Sequence, residues 1–317
     1  LENEGRFDFT GKNIAIIGDS ISTNGDWSVS NPLGNVPEII VQTEDIGVEL
    51  SAYATSYDVG TVLGGHEIVS SDVGNELTFT PTAQDVGKII GKPYNRNAAS
   101  YVVWWEVASE YLGFNPIPVA WSGSTITGDS VSSAIHVSQI RKCGIRTPGT
   151  MTRTAPDMII IYRGTNDFSH GSGTVLTKDY FDGDSIWYYP TTDVVEGGRG
   201  YLEGMCLLIK KLREAYPSAQ IVLCTMNYFH RGDAGFPTRN SKGNTLMEYN
   251  RAIRETADWL GCGLIDFDKD GITFENAASG EYYSDSDQTN PTHPNTKGHK
   301  VMGNRAIIDL LKVNSMI

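Results

Sequence analysis

Ser20 ends an apolar run. Asn13-Ile14-Ala15-Ile16-Ile17 leads directly into Gly18-Asp19-Ser20. Three isoleucines and an alanine followed by Gly-Asp-Ser read as a short buried strand that stops at a turn carrying a hydroxyl. In an open α/β sheet the carboxyl ends of the strands are where ligands bind. A serine placed there is a candidate nucleophile, although the same residues also suit a polar turn after a core strand. The tripeptide does not decide between these readings. It recurs at Gly128-Asp129-Ser130 and Gly183-Asp184-Ser185. Only the first copy follows a continuous apolar strand; the second opens a polar, helix-like stretch and the third lies in an acidic loop.

Two further strand-like runs end in polar residues. Pro116-Ile117-Pro118-Val119-Ala120 leads into Trp121-Ser122-Gly123-Ser124, and Met158-Ile159-Ile160-Ile161-Tyr162 into Arg163-Gly164-Thr165-Asn166-Asp167. Taken singly, Gly123 reads as a turn glycine and Asn166 as a turn cap. Of the histidines His66, His136, His170, His230, His293 and His299, His293 stands out. It lies in Asn290-Pro291-Thr292-His293-Pro294-Asn295, just before the last helical pattern. His299 reads as structural. There is no His-Glu-x-x-His or comparable metal spacing, and no Gly-x-Gly-x-x-Gly or Walker pattern after a strand. No metal or cofactor is expected, and nucleotide chemistry is not indicated.

These residues need a scaffold, and the patterning predicts one. After the first strand, Ile21 to Asn35 reads as loop. Helical spacing runs from Ala98 to Leu112, with Val102, Val103, Trp105, Ala108, Tyr111 and Leu112 on a buried face and Gly113 as its stop. Another helix is expected near Ser130 to Arg141, and a long loop from Asp167 to about Gly200. Leu202–Tyr216, Leu246–Leu260 and Asn295–Val313 read as helices, and Gln220–Cys224 and Gly263–Asp266 as strands. Strands alternating with helices of this length predict a parallel sheet with helices on both faces. No internal repeat is expected.

From about Val36 to Lys92 the texture changes. Glu38–Gln42, Val48–Tyr53 and Glu76–Thr80 are short β-prone runs between Gly, Asp and Asn. They predict a small all-β insertion of partial-sandwich type over residues 36–92, with 1–35 and 93–317 forming the α/β domain. It reads equally as a substrate rim or glycan-binding accessory and as an embellishment.

Composition narrows the partners. The chain has 317 residues and a net charge of −13. That charge disfavours nucleic acid and anionic membrane surfaces. No run of 18 apolar residues is present, so no membrane insertion is expected. Cys143, Cys206, Cys224 and Cys262 form no Cys-x-x-Cys pair, and Cys206 and Cys224 read as core residues.

In order, Gly18-Asp19-Ser20, Gly123, Gly164-Thr165-Asn166-Asp167 and His293-Pro294-Asn295 resemble the blocks of the SGNH (GDSL-type) hydrolase superfamily. The resemblance runs from about Asn13 to the C-terminus and excludes the β insertion. It implies a flavodoxin-like three-layer sandwich with a five-stranded parallel sheet. It also implies a serine esterase with an acyl-enzyme intermediate: Ser20 as nucleophile and His293 as base. The backbone N–H groups of Ser20 and Gly123 and the side-chain amide of Asn166 would form the oxyanion hole. An imidazole with its ordinary pKa near ~6.5 suits such proton transfer at neutral pH.

One position departs from the pattern. The family usually carries Asp three residues before the histidine, and here that residue is Asn290. Asparagine can accept the ring N–H but brings no charge. Asn290 is expected to orient His293. Asp287 is the main rival and Asp285 another, and a Ser-His dyad with a backbone carbonyl is the third reading. Loops rich in Tyr, Trp, Asp, Asn and Gly point to a small ester or acylated carbohydrate and to O-acetyl removal, with an extracytoplasmic location. Lipase-like or lysophospholipase-type hydrolysis, acyl transfer, and glycan binding by a weakened site are the alternatives.

Overall fold

A computed structural model gives the fold. It describes residues 7–23, 39–54, 58–73, 75–90, 102–126, 139–169, 200–229, 239–273, 276–277, 281–283 and 292–313. The sequence readings at residues 130–138 and 170–199, the second and third Gly-Asp-Ser copies, and Asp285, Asp287 and Asn290 lie outside the described residues.

Strand β1 (Asn13–Gly18) is followed by the short strands β2 (Ile39–Ile40), β3 (Leu50–Tyr53), β4 (Val62–Leu63), β5 (His66–Glu67), β6 (Glu76–Phe79) and β7 (Ile89–Ile90). Then come β8 (Asn115–Ala120), the hairpin β9 (Ile145–Arg146) and β10 (Arg153–Thr154), and β11 (Met158–Tyr162), β12 (Gln220–Cys224) and β13 (Gly263–Ile265). The central sheet has the order β13-β12-β11-β1-β8, and all its described pairings are parallel. This is the expected flavodoxin-like arrangement, with the first strand inside and the order reversing beside it.

Pleating explains why five apolar strands hold two layers of helices. Successive side chains of a strand point to opposite faces. Ala15 and Ile17 join Ile159, Ile161, Ile221 and Leu223 in one core, against helices Tyr201–Ala215 and Leu246–Leu260. Ile14 and Ile16 join Met158, Ile160, Val222 and Cys224 in the other, against helices Trp104–Leu112 and Thr296–Leu310. All four cysteines are free thiols.

Three details differ from the sequence reading. The first long helix begins at Trp104, with Val103 as its N-cap, and Tyr111 is 71% exposed rather than on its buried face. Trp104 takes the inward position instead, packed edge-on to Phe267 with ring centroids 5.1 Å apart. Gly113 ends this helix as expected, with φ +78. Asn166 lies within a short helix, Thr165–Ser169, that begins directly after the strand.

The third difference is a recurrent turn in the insertion. Asp45-Ile46, Asp72-Val73 and Asp85-Val86 each close a 3₁₀ turn. In each, Asp Oδ2 accepts the backbone N–H of the residue three before it: Gln42, Val69 or Thr82, at 2.8, 2.9 and 2.8 Å. The repeat escapes a hydrophobic-period reading because its signal is turn chemistry at uneven spacing. The described strands form three two-stranded antiparallel sheets rather than two facing sheets. They share an apolar cluster of their own, including Ile39, Leu50, Leu63, Phe79 and Ile90.

The insertion docks on the β9–β10 hairpin. Arg146 meets Asp45 at 2.6 Å, and Gly149 N–H donates to the same carboxylate at 2.6 Å. Arg141 pairs with Glu76 at 2.8 Å and lies over the Tyr53 ring, while Met151 packs against the insertion's cluster.

Candidate active site

β1 delivers Ser20 to the carboxyl edge of the sheet. After Gly18 the chain turns through a 3₁₀ turn, Ser20–Ser22, whose N-cap is Asp19. Asp19 Oδ1 accepts the Ile21 N–H at 3.0 Å. Ser20 opens the turn, so its own N–H is one of the initial amides for which such a turn provides no acceptor. Gly18 is required by packing. A Cβ there would stand 2.3 Å from the Ser22 Cβ. Two indoles hold the turn from outside: Trp104 Nε1–H donates to Ser22 Oγ at 3.1 Å and Trp105 Nε1–H to the Ser22 carbonyl at 2.9 Å.

Parallel register places the other strand ends beside it. Gly18 pairs with Ala120, and Ile17 with Ile161. The chain leaving β8 makes a turn in which Ser124 N–H donates to the Trp121 carbonyl. Gly123 occupies the third position of that turn with φ +76, a conformation that favours glycine. The chain leaving β11 enters the helix carrying Asn166, whose Nδ2 donates to the Ser124 carbonyl at 3.0 Å. That bond ties Asn166 to the residue after Gly123. A side-chain amide carries two N–H groups, and the second is the one an oxyanion role requires.

His293 arrives from the far end of the chain. Its Nε2 lies 3.0 Å from Ser20 Oγ, across 273 residues of sequence. The last helix fixes the approach. Its N-cap, Asn295, accepts the N–H groups of Lys297 and Gly298 and donates through Nδ2 to the carbonyls of Glu281 and Tyr283. Tyr283 bridges to Pro294. Asn227, just past β12, donates to the Tyr283 hydroxyl at 3.0 Å and accepts from Tyr162. Asn227 and Tyr283 were not signalled by sequence pattern, because each acts through a partner distant in sequence.

Charge is buried behind the nucleophile. Asp19, Arg163 and Asp167 are all essentially inaccessible. Burial pushes the Asp19 carboxyl up to about 6, against the opposing pull of the Ile21 amide, the Arg163 charge, the Thr165 hydroxyl and His293. The Thr165 hydroxyl lies beside the Asp19 carboxylate and favours its charged form. Burial likewise lowers Arg163 to about 10, with Asp19 and Asp167 pulling the other way. Arg163 donates to Gln139 Oε1, and Asp167 accepts the Ile126 N–H at 3.0 Å. His299 is fully buried, and burial followed by the nearby His293 lowers it to about 3, so its ring is neutral.

The arrangement supplies a hydroxyl, a base within hydrogen-bond reach of it, and two flanking strand ends with N–H donors. No group of three or more His, Cys, Asp or Glu among the described residues could hold a metal ion.

Comparison with known proteins adds the family. The model of the GDSL-like Lipase/Acylhydrolase family matches residues 74–301, more than two thirds of the chain. The match begins after Ser20, so Ser20 joins the matched region through geometry, by way of His293. No curated protein sequence matches. A Lactobacillus plantarum protein of solved structure is 16% identical, with 94% of this chain and 95% of that one covered at a TM-score of 0.51. A putative GDSL-like lipase from Bacteroides uniformis is 16% identical, covering 96% and 97% at 0.47. An aryl esterase from M. smegmatis is 16% identical, covering 95% and 99% at 0.46. At these identities structural likeness speaks to fold, and the family model carries the assignment: the chain belongs to the GDSL-like lipase/acylhydrolase family, a family of ester hydrolases.

Proposed function

We propose that the chain is a serine esterase that works through an acyl-enzyme and removes O-acetyl groups from a carbohydrate. The observation that carries the serine mechanism is the 3.0 Å contact between His293 Nε2 and Ser20 Oγ. In this reading Ser20 Oγ attacks the ester carbonyl while its proton passes to His293 Nε2. The carbonyl oxygen becomes an oxyanion held by the N–H groups of Ser20 and Gly123 and by the Asn166 amide. Collapse expels the alcohol, which takes the proton back from His293. Water then repeats the sequence on the acyl-serine and releases the acid.

The orienting role behind His293 is assigned to Asn290, with Asp287 as its rival. Comparing Asn290→Ala with Asp287→Ala identifies the partner by the larger loss of turnover. The carbohydrate half of the proposal is supported by loop composition. Residues 170–199 carry Tyr180, Trp187, Tyr188 and Tyr189 among Asp and Gly. Aromatic rings and polar groups together suit stacking on and hydrogen bonding to sugars. An extracytoplasmic site of action follows from that substrate.

The test uses p-nitrophenyl esters of increasing chain length and an acetylated polysaccharide, with Ser20→Ala alongside. Turnover of acetyl esters and release of acetate from the polysaccharide are expected. Ser20→Ala should lose at least about 10³-fold in kcat. Equal activity in the mutant ends the serine mechanism. A preference for long acyl chains replaces the carbohydrate substrate with a lipid-like one.

A further inference from the structure

We propose that Asp167 is a positioning residue for the oxyanion hole: its carboxylate pins the Ile126 amide and so holds the loop that carries Gly123 beside the end of β1. The proposal rests on the Ser20–His293 reading above.

The loop after β8 needs holding. Gly123 stands at φ +76. Glycine reaches that region most readily and is also the residue least able to stay there unaided. The chain is tied on both sides of it. Before Gly123, Trp121 N–H donates to the Gly18 carbonyl at 2.9 Å. After it, the Ser124 hydroxyl donates back to the Trp121 carbonyl at 2.6 Å, and the Ser124 carbonyl accepts from Asn166 Nδ2 at 3.0 Å. Two residues further on, both oxygens of Asp167 stand 3.0 Å from the Ile126 nitrogen. Neighbouring residues of one short helix therefore grip the same loop at two points, Asn166 as donor and Asp167 as acceptor.

An acidic residue in the first turn of a helix ordinarily serves that helix's own amides. Asp167 has that place in Thr165–Ser169, yet it is buried and reaches an amide 41 residues earlier in the chain. Ile126 is held from the other side as well. A Cβ at Gly204, in helix Tyr201–Ala215, would stand 2.4 Å from Ile126 Cγ2 and 3.0 Å from the Ile126 carbonyl oxygen. Ile126 thus lies between the helix and the carboxylate, and a shift of its backbone breaks one contact or the other. Donors to an oxyanion stabilise it only if they are in place before the charge develops, and a displacement of about 1 Å can cost ~10²-fold in rate. Asp167 also acts on the charge of Arg163. The two roles make different demands. Arg163 needs a negative charge, whereas the Ile126 amide needs an acceptor at one place.

The experiment separates those demands. Asp167→Asn keeps an acceptor at the same reach and loses the charge. Asp167→Glu keeps the charge and moves the acceptor outward by one methylene. For both, and for Asp167→Ala, kcat and KM are measured on p-nitrophenyl acetate, together with the affinity for a trifluoromethyl ketone. Such a ketone adds reversibly to a serine and places its oxyanion in the hole. Each kcat is expressed per folded protein, from melting curves. Asp167→Glu and Asp167→Ala should lose about 10- to 100-fold in kcat, with KM moved by less than about threefold and ketone affinity falling as kcat/KM falls. Asp167→Asn should retain more kcat and more ketone affinity than Asp167→Glu. The reverse order, or equal losses in the two, makes the carboxylate a counter-charge or a packing residue and overturns the proposal. So does a fall in kcat with ketone affinity unmoved. Should Asp167→Ala not fold, the order of Asn and Glu decides. Ser20→Ala with full esterase activity ends the serine reading. Undiminished kcat in Asp167→Glu ends this proposal and leaves that reading standing.

Discussion

Asp19 and Asp45 are both carboxylates with no exposed surface, one at the end of the central sheet's first strand and one in the first turn of the insertion. They are in opposite electrostatic states. Burial raises both, but at Asp45 the Arg146 guanidinium and the amides of Gln42 and Gly149 outweigh it and hold the carboxyl at about 2. At Asp19 the Ile21 amide, the Arg163 charge, the Thr165 hydroxyl and His293 do not, and the carboxyl stands at about 6. Asp45 is satisfied at both oxygens and fastens the insertion to the β9–β10 hairpin. Asp19, beside Ser20, takes the Ile21 amide on Oδ1, and no guanidinium among the described residues is bonded to it. A charge fully paired contributes to fold stability. One raised by burial costs stability when it ionises, and such costs collect at functional sites.

The largest break in this comparison comes at Asp45. Asp45→Ala leaves Arg146 buried without its partner and should cost roughly 3 kcal/mol of stability, measured by urea unfolding. If unfolding of this variant matches that of the unmodified protein, the insertion is not held by this pair. Asn166→Ala belongs to the other side. Its loss should appear in turnover, about 10²–10³-fold in kcat, with the thermal midpoint barely moved. A large fall in that midpoint instead would place Asn166 with the structural residues.

Asp19→Asn sharpens the contrast through its sign. A carboxyl raised in the folded state costs stability once it ionises, so the penalty is absent below its unfolded value near 3.8 and is complete above about 6. Removing the charge should raise stability by a few kcal/mol at pH 8, and by much less at pH 4. Asp45 behaves in the reverse way: its contribution is present above about 3.8 and is lost as pH falls toward 2. Melting curves at pH 4 and pH 8 distinguish the two. The smallest effect is expected at Tyr111, which is exposed. Tyr111→Ser should change stability by less than about 0.5 kcal/mol.

Much of the scaffold was legible because its signals are local. Ile14–Ile17 and Met158–Tyr162 are continuous apolar runs of strand length, and the helices from Leu246 and Asn295 carry clear caps and periods. The insertion was harder to read. Its order lies in three Asp-centred turns, and turn chemistry leaves no apolar period to follow. Tyr111 was misplaced because a helical face of about nine residues can be rotated by one position without breaking the pattern, and only packing against Phe267 shows that Trp104 points inward.

Residue types and their order alone were enough for the five parallel strands, the stop of β1 at Gly18-Asp19-Ser20, and the family blocks at Gly123, Asn166 and His293. Those properties depend on neighbours a few residues away. Tertiary structure decided that His293 Nε2 meets Ser20 Oγ, that Asn166 is tied to Ser124, and that two similar aspartates differ in charge balance. Each of these depends on which distant groups share a buried space, and the strength of a charge there is set by the partners the fold brings to it.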